Sequence, residues 1–215
     1  MQMDYPVMLR LAGWPCTVVG GGRVAERKVR RLLQSAAAVT VIAPELTTML
    51  YAWAQAEKIH WQQQAYTPGC LAGARLVFCA TDDTACQQAV AAEARAQGAL
   101  LNDAALPTQS DFTVPASVAR GALLLTVSTG GGSPELARQI RQELEQFYPE
   151  SFACWLERLT ALRQSLPQQL QSSEQRQAFW RTALNGRILT LVRDGQLDRA
   201  EEEVRHAIIG FGTKS

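Results

Sequence analysis

The sequence predicts an α/β fold, with a parallel sheet in its first half and helices in its last third. Three observations support this prediction. Short β-branched runs alternate with helical patterns as far as Asn102, and a glycine-rich turn joins the first run to the first helical pattern. After Pro149 the pattern is helical throughout. At 215 residues, the chain is long enough to bury a substantial core.

The first half contains five predicted strands and three predicted helices. The strands are residues 16–20, 39–44, 59–63, 75–80 and 99–102. The helices are residues 23–34, 44–57 and 82–97. In the first helix Ala25, Val29 and Leu32 recur at helical spacing and form one apolar face. The fourth strand, RLVFCA, is a near-continuous apolar run, which is typical of a strand covered on both faces.

The pattern changes after Leu106, where no crossover helix follows. The β-rich run at residues 123–128 predicts an antiparallel hairpin outside the parallel sheet. Ser133 and Pro134 then form a helix start, with an N-cap hydroxyl followed by proline at the first helical position. An apolar stripe marks this helix at Leu136, Ile140, Leu144 and Phe147. Helical segments follow, with predicted breaks at Pro167, Gly186 and Gly195.

Composition excludes several classes of protein. Hydrophobic residues make up 47% and charged residues 19%, as in ordinary globular proteins. The net charge of +1 provides no field for nucleic-acid binding, and no apolar run has the length of a membrane span. Five scattered cysteines lack the CxxC spacing of metal or redox sites. We predict a cytoplasmic protein without a resident metal, nucleic-acid partner or membrane contact.

The strongest motif is Gly20-x-Gly22-x-x-Ala25, at the junction of the first strand and first helix. The first glycine makes a tight turn, the second allows a pyrophosphate to approach the backbone, and the small third residue lets the helix pack on the strand. Arg23 and Val24 begin the helix, whose N–H groups attract phosphate. The motif predicts a Rossmann-like parallel sheet that binds a dinucleotide; a glycine turn without a ligand is the alternative.

The ends of two further strands provide the remaining candidate cofactor contacts. A ribose-binding acid is expected at the end of the second strand, where Pro44 stands with Glu45 beyond it. No arginine follows that strand to hold a 2′-phosphate, which favours NAD over NADP. Thr81 and Asp82 follow the fourth strand and could contact the second ribose; helix capping is the alternative.

Five segments carry a resemblance to a known family. They are VVGGGRVAERKVRRLL, VTVIAPEL, CATDD, the stretch from Asn102 to Pro115, and STGGGSPELARQIRQELE. In this order they resemble the precorrin-2 dehydrogenase and sirohydrochlorin ferrochelatase family, the N-terminal half of bacterial siroheme synthase. The resemblance continues more loosely into the helical tail.

The resemblance implies three regions: an NAD-binding Rossmann domain at 1–113, a dimerisation region at 114–148 and a helical C-terminal domain at 149–215. It also implies a homodimer that oxidises precorrin-2 to sirohydrochlorin with NAD, followed in many members by insertion of Fe²⁺ to give siroheme. The methyltransferase half of siroheme synthase is expected to be absent from this chain.

A tetrapyrrole fringed with carboxylates requires local hydrogen-bond donors. The candidate substrate-binding residues are Asn102, Arg120, Thr129, Gly130, Gly131 and Ser133. Glycines before a capped helix can form an anion cradle, and a flexible turn is the alternative. Arg138 and Arg141 are further candidates, although the solvent face of the helix explains them better.

The sequence departs from the family at one important position. The resemblance implies a general-base aspartate three residues after the asparagine that ends the fifth strand, and Ala105 stands there. Asp103 lies two residues earlier and Asp111 six later. A two-residue offset restores the same face of an extended chain, so Asp103 is the candidate base, with a turn aspartate as the alternative. Losing this carboxylate affects metal insertion more than dehydrogenation.

Two other functions remain open. Ala105 is compatible with a catalytically silent relative that binds NAD or a tetrapyrrole as a sensor or carrier. A regulatory nucleotide-binding module of the potassium-transport type shares the strand, glycine turn and helix, but it explains neither the hairpin nor STGGGSP.

Overall fold

The computed structural model describes residues 4–165 and 172–212, and the chain divides into two compact units. One unit is Tyr5–Val114, and the other contains the chain from Pro115 onward. The predicted break at Pro167 lies outside the described residues. The predicted division into three regions stays a proposal. Leu123 and Tyr148, from the predicted middle region, pack against the buried cluster of the helical region.

The first unit is built on the predicted parallel sheet. Its strands are β1 (Pro15–Val19), β2 (Ala38–Ile42), β3 (His60–Gln62), β4 (Leu76–Cys79) and β5 (Leu100–Asp103). All neighbouring pairs are parallel, in the order β3-β2-β1-β4-β5. The helices are α1 (Arg23–Gln34), α2 (Thr48–Gln55) and α3 (Thr84–Gln97). The predicted α/β class with a Rossmann-like sheet is therefore confirmed.

Alternate residues of β1, β2 and β4 face two separate buried clusters. In β4, Leu76 and Phe78 join the cluster that contains the apolar face of α1. Val77 and Cys79 join the cluster that contains Val90 and its neighbours on α3. Successive strand side chains point to opposite faces, so α1 and α3 cover opposite faces of the sheet.

Two predicted helix starts were placed too early. The second helix begins at Thr48, because the Thr47 hydroxyl accepts the Leu50 N–H and caps it. Residues 44–46 therefore form a loop after β2. The third helix begins at Thr84, because the Asp83 carboxylate accepts the N–H groups of its first turn. Both corrections mean that the loops after β2 and β4, at the carboxyl edge of the sheet, are longer than predicted.

The second unit starts with the predicted antiparallel hairpin, β6 (Ala116–Arg120) and β7 (Leu123–Val127). Five helices follow within its described part: α4 (Pro134–Phe147), α5 (Ser151–Ser165), α6 (Ser173–Ala183), α7 (Gly186–Arg193) and α8 (Leu197–Gly212). Helices α5 to α8 bury a common cluster around Trp155, Phe179 and Val192. The predicted apolar stripe of α4 is not fully buried, since Leu136 and Phe147 are 48% and 50% exposed. Among the described residues, no helix combines the length and hydropathy that a membrane span requires.

Candidate nucleotide-binding site

A cleft of about 920 Å³ lies at the carboxyl ends of β1, β2 and β4. The predicted cofactor-binding residues that line it are Gly20, Gly22, Arg23, Val24, Pro44, Glu45, Thr81 and Asp82. Ala25 does not line the cleft: it is fully buried in the cluster between α1 and the sheet. Its small side chain allows the helix to pack closely on the strand, which is the role predicted for the third small residue of the motif.

The first two glycines of the turn are required by the fold itself. Gly20 has a φ of +120°, and a Cβ there would lie 2.4 Å from the carbonyl oxygen of Ala80. A Cβ on Gly21 would lie 1.8 Å from the carbonyl oxygen of Glu45. The predicted motif leaves position 21 open, although the run of three glycines could have indicated that Gly21 is also needed. These contacts bring the loop after β2 against the turn.

Gly22 is different because the fold does not require a glycine there. Its φ is −86° and its ψ −171°, which any residue can adopt. A Cβ at this position would meet nothing within 4 Å, and Gly22 lines the cleft. A side chain here would extend into open space that a bound phosphate could otherwise use. The fold therefore leaves space at Gly22 that a ligand could occupy.

The start of α1 faces the cleft without a side-chain cap. The first backbone hydrogen bond of the helix runs from the Glu26 N–H to the Gly22 carbonyl. The N–H groups of residues 23–25 therefore have no partner within the helix. By contrast, α2, α3 and α4 are capped by Thr47, Asp83 and Ser133. An uncapped helix start beside an open glycine fits a diphosphate group.

Acidic residues predominate among the charged side chains that line the cleft. Arg23 is basic, whereas Glu45, Asp82 and Asp83 are acidic. Asp83 caps α3, whereas helix capping was the alternative given for Thr81 and Asp82. The Thr81 hydroxyl accepts the Asp83 N–H, and the Thr81 carbonyl accepts the amide of buried Gln87. These bonds hold the segment after β4 in place beside the glycine turn.

Three family models match the chain. An NAD(P)-binding model matches residues 7–116, a sirohaem biosynthesis protein central model matches 120–146, and a sirohaem synthase dimerisation region model matches 152–208. The chain belongs to the family of the siroheme synthase N-terminal region. A nicotinamide cofactor follows from this membership. The dimerisation model covers most of α5 to α8, whereas the predicted dimerisation region was residues 114–148.

Curated relatives are siroheme synthases about twice as long as this chain. The protein of Nitrosococcus oceani is 38% identical over 209 residues, which cover 97% of this chain and 45% of the relative. The protein of Methylococcus capsulatus is 39% identical over 207 residues, which cover 95% of this chain and 44% of the relative. The solved structure of SirC, a precorrin-2 dehydrogenase, is 28% identical with a TM-score of 0.78, and the match covers 95% of this chain and 98% of SirC.

The segment after β5 carries the departure from the family pattern. Ala104 and Ala105 line the cleft, and Asp103 does not. Asp103 is 3% exposed, and its Oδ1 accepts the N–H groups of Ala105 and Leu106 at 2.8 and 2.9 Å. Its Oδ2 is buried without a hydrogen-bond partner. The carboxylate thus forms the turn that places Ala105 in the cleft, and its assignment as general base stays a prediction.

Asn102 and Asp111 also hold this segment. The Asn102 amide donates to the Phe112 carbonyl at 2.9 Å, and its oxygen accepts the Lys28 ammonium at 2.8 Å. Asp111 accepts the Leu101 N–H. Burial, together with two neighbouring arginines on α1, lowers the pKa of Lys28 below its usual value. No sequence pattern indicated Lys28, because its partner lies 74 residues away.

Arg120 is occupied within the second unit. Its Nε donates to the Tyr148 carbonyl at 2.8 Å and its Nη2 to the Glu145 carbonyl at 3.1 Å, while Glu150 pairs with Nη1. The side chain is 11% exposed. Arg120 therefore caps the end of α4. Its guanidinium is held by these bonds, and the predicted substrate contact of Arg120 stays a prediction.

The predicted anion cradle is an ordered turn. The Thr129 hydroxyl donates to the Ser133 carbonyl and accepts the Ser133 N–H. Gly130 and Gly131 have φ values of +58° and +80°, which favour glycine. Ser133 caps α4 as predicted. The substrate contacts of this turn stay predictions.

Arg138 and Arg141 lie on the outer face of α4. They pair with Glu135 and Glu145 at spacings of three and four residues. Ion pairs at this spacing support the solvent-face explanation for both arginines.

Proposed function

We propose that this chain catalyses the NAD-dependent oxidation of precorrin-2 to sirohydrochlorin in siroheme biosynthesis. The observation that carries the proposal is the open Gly22 beside the uncapped start of α1. The likeness to a precorrin-2 dehydrogenase over nearly the whole chain supports the choice of substrate. The silent sensor or carrier is less favoured, because the relatives that match nearly the whole chain are siroheme synthases and a precorrin-2 dehydrogenase.

The charges around the cleft support NAD over NADP. A 2′-phosphate would add two negative charges beside the loop after β2, where Glu45 stands. Carboxylate and phosphate repel each other, and Arg23 belongs to the helix start, where it would face the diphosphate. Ribose hydroxyls without a phosphate can instead donate to Glu45.

The residues of the cleft bind and orient the reactants. The amides of residues 23–25 and the open backbone at Gly22 would hold the diphosphate. When bound, NAD supplies the hydride acceptor. Ala104 and Ala105 line the far end of the cleft, after β5, and their small side chains leave room for a macrocycle there. Placement of substrate against cofactor then supplies most of the catalysis.

The proposal includes a homodimer in the cytoplasm. The match to a dimerisation model and the half-exposed Leu136 and Phe147 of α4 support self-association. All five cysteines are free, as expected in a reducing compartment. Fe²⁺ would be a substrate of a second reaction, and we expect its insertion to be slow because Ala105 occupies the position of the family's base.

An absorption assay tests the proposal. The protein is incubated with precorrin-2 and either NAD or NADP, with and without Fe²⁺, while sirohydrochlorin and siroheme formation are followed. We expect sirohydrochlorin with NAD, much less with NADP, and little siroheme. Binding of NAD without turnover would instead identify the silent relative, and no binding of either nucleotide would overturn the assignment of the cleft.

A further inference from the structure

One carboxylate outside the cleft organises a segment of its wall. Glu93, on α3, accepts four hydrogen bonds. Its Oε2 accepts the Tyr66 hydroxyl at 2.5 Å and the Gly69 N–H at 3.0 Å, and its Oε1 accepts the Leu71 N–H and the Gln97 amide, both at 2.9 Å. Three of these donors belong to residues 66–71, in the connection between β3 and β4. Glu93 therefore fixes that connection to α3.

Tyr66 is the member of this segment that reaches the cleft. It is half-buried, packs against the cluster between the sheet and α3, and lines the cleft together with Ala65 and Cys86. Its hydroxyl is held by Glu93 and lies 3.3 Å from the Ala89 carbonyl. Because the ring is fixed at its backbone and at its hydroxyl, it cannot turn away from the cleft. An aromatic wall held in this way requires little ordering when a ligand binds.

The sheet order indicates which half of a dinucleotide would meet Tyr66. The diphosphate site lies at the end of β1, in the middle of the order β3-β2-β1-β4-β5. Tyr66 follows β3 on one side, and Ala105 follows β5 on the other. In doubly wound folds the adenosine ribose binds at the end of β2. A bound adenosine half would therefore lie on the β2 side of the diphosphate, where the connection that carries Tyr66 leaves β3, and the nicotinamide would lie toward Ala105.

We propose that Tyr66 forms an aromatic wall of the adenine subsite and that Glu93 is a positioning residue that holds it there. The assignment rests on the proposed function, since it requires an adenine nucleotide in the cleft. Burial raises the pKa of Glu93, but hydrogen bonds from Tyr66, Leu71, Gly69 and Gln97 outweigh it and hold that pKa below its usual value. The carboxylate is therefore ionised at neutral pH and available as an acceptor for all four donors.

Binding of the two halves of the cofactor tests the proposal. Titration calorimetry is run with NAD, AMP and nicotinamide mononucleotide on wild type, Tyr66→Leu, Tyr66→Phe, Glu93→Ala and Glu93→Gln. Tyr66→Leu should weaken AMP and NAD roughly tenfold or more through lost stacking and leave the mononucleotide unchanged. Tyr66→Phe keeps the ring but loses the bond to Glu93, so AMP should weaken about two- to fivefold.

The double variant tests whether Glu93 acts through Tyr66. Glu93→Ala should weaken AMP about as much as Tyr66→Leu does, and the combination should add no further loss. Glu93→Gln retains one acceptor oxygen and should recover part of the affinity. Gln97→Ala removes another partner of Glu93 outside residues 66–71, and Tyr51→Leu removes an exposed tyrosine outside the cleft; both serve as controls and should bind AMP as wild type does.

Several results would overturn the proposal. Equal weakening of AMP and the mononucleotide in Tyr66→Leu would mean that the change damages the whole cleft, and unchanged AMP affinity would exclude Tyr66 from the subsite. Additive losses in the double variant would separate Glu93 from Tyr66. If Glu93→Ala fails to fold, Tyr66→Phe and Glu93→Gln carry the test. A wild type that binds none of the three nucleotides would refute the proposed function itself, which distinguishes the two failures.

Discussion

Replacing Gly22 separates what the fold needs from what the cofactor needs. Gly22 is the N-cap of α1, in an extended conformation with open space around its missing Cβ. Aspartate and asparagine are both favourable N-caps, because their side chains accept N–H groups of the first turn. Gly22→Asp and Gly22→Asn should therefore unfold at the wild-type temperature or slightly above it, with a gain of a few tenths of a kcal/mol.

Both variants should nevertheless lose the cofactor. At about 5 Å from the diphosphate, a carboxylate at position 22 would repel each unit of negative charge by about 3 kcal/mol at an effective dielectric constant of about 20. That energy corresponds to an affinity more than about 100-fold lower. Asparagine occupies the same space without the charge, and we expect a loss of about tenfold. Titration calorimetry with NAD and thermal unfolding measure the two effects separately.

Two other glycines provide controls. Gly186 is the first residue of α7, and a Cβ there meets nothing within 4 Å. Gly186→Ala should leave the affinity for NAD unchanged and raise the unfolding free energy by at most about 1 kcal/mol. Gly21→Ala should destabilise the fold, since its Cβ would lie 1.8 Å from the Glu45 carbonyl oxygen. If Gly22→Asp bound NAD within about threefold of wild type, the diphosphate would not lie at this turn, and the argument from its open backbone would be refuted.

Four further predictions concern single residues. Asp103→Asn keeps the oxygen that forms the turn and should retain turnover within about threefold. Asp103→Ala should lose about 1–3 kcal/mol of unfolding free energy in urea. If turnover in Asp103→Asn fell about 100-fold at unchanged stability, Asp103 would be a general base instead. Arg120→Ala should lower the unfolding free energy by about 1–3 kcal/mol, because two carbonyls near the end of α4 lose their donor, and should leave the affinity for NAD unchanged. The pKa of Glu93 in the folded protein lies below its ordinary value of 4.5, so the ionised carboxylate stabilises the fold above pH 4.5, and this stabilisation is lost as the pH falls through the folded pKa. Glu93→Gln should remove this pH dependence of the unfolding free energy in urea. A variant with the pH profile of wild type would contradict the prediction. Ala105→Asp should increase siroheme formation from sirohydrochlorin and Fe²⁺, with Ala104→Asp as the control, and equal rates in both variants would exclude a specific role for position 105.

Local patterns predicted the parts of the fold that depend on local interactions. The first helix was predicted at residues 23–34 and runs over Arg23–Gln34, because its apolar spacing and its glycine turn both lie within the segment. The parallel sheet followed from the alternation of strand and helix patterns. By contrast, the start of α2 depends on Thr47, whose hydroxyl caps the helix and also donates to Glu26. Pro44 with Glu45 had suggested an earlier start.

The partners of polar side chains could not be predicted in the same way. Arg120 and Asn102 have the chemistry of substrate ligands, but in the folded chain they bond to groups 28 and 74 residues away. Tyr66 and Glu93 are 27 residues apart, and neither belongs to a recognisable motif. A sequence identifies side chains that can bind a ligand, whereas the tertiary fold determines which of them are already bonded.

The segment after β5 bears most directly on which reaction this chain can carry out. Asn102, Asp103, Ser110 and Asp111 all direct polar atoms to the backbone of the segment or of β5. The residues of this segment that reach the cleft are Ala104 and Ala105, which cannot take up a proton. Removal of a hydride depends on how the cofactor and macrocycle are placed, whereas insertion of iron requires that protons leave the pyrrole nitrogens. In the proposed function, the turn that would leave room for the macrocycle would therefore favour dehydrogenation over metal insertion.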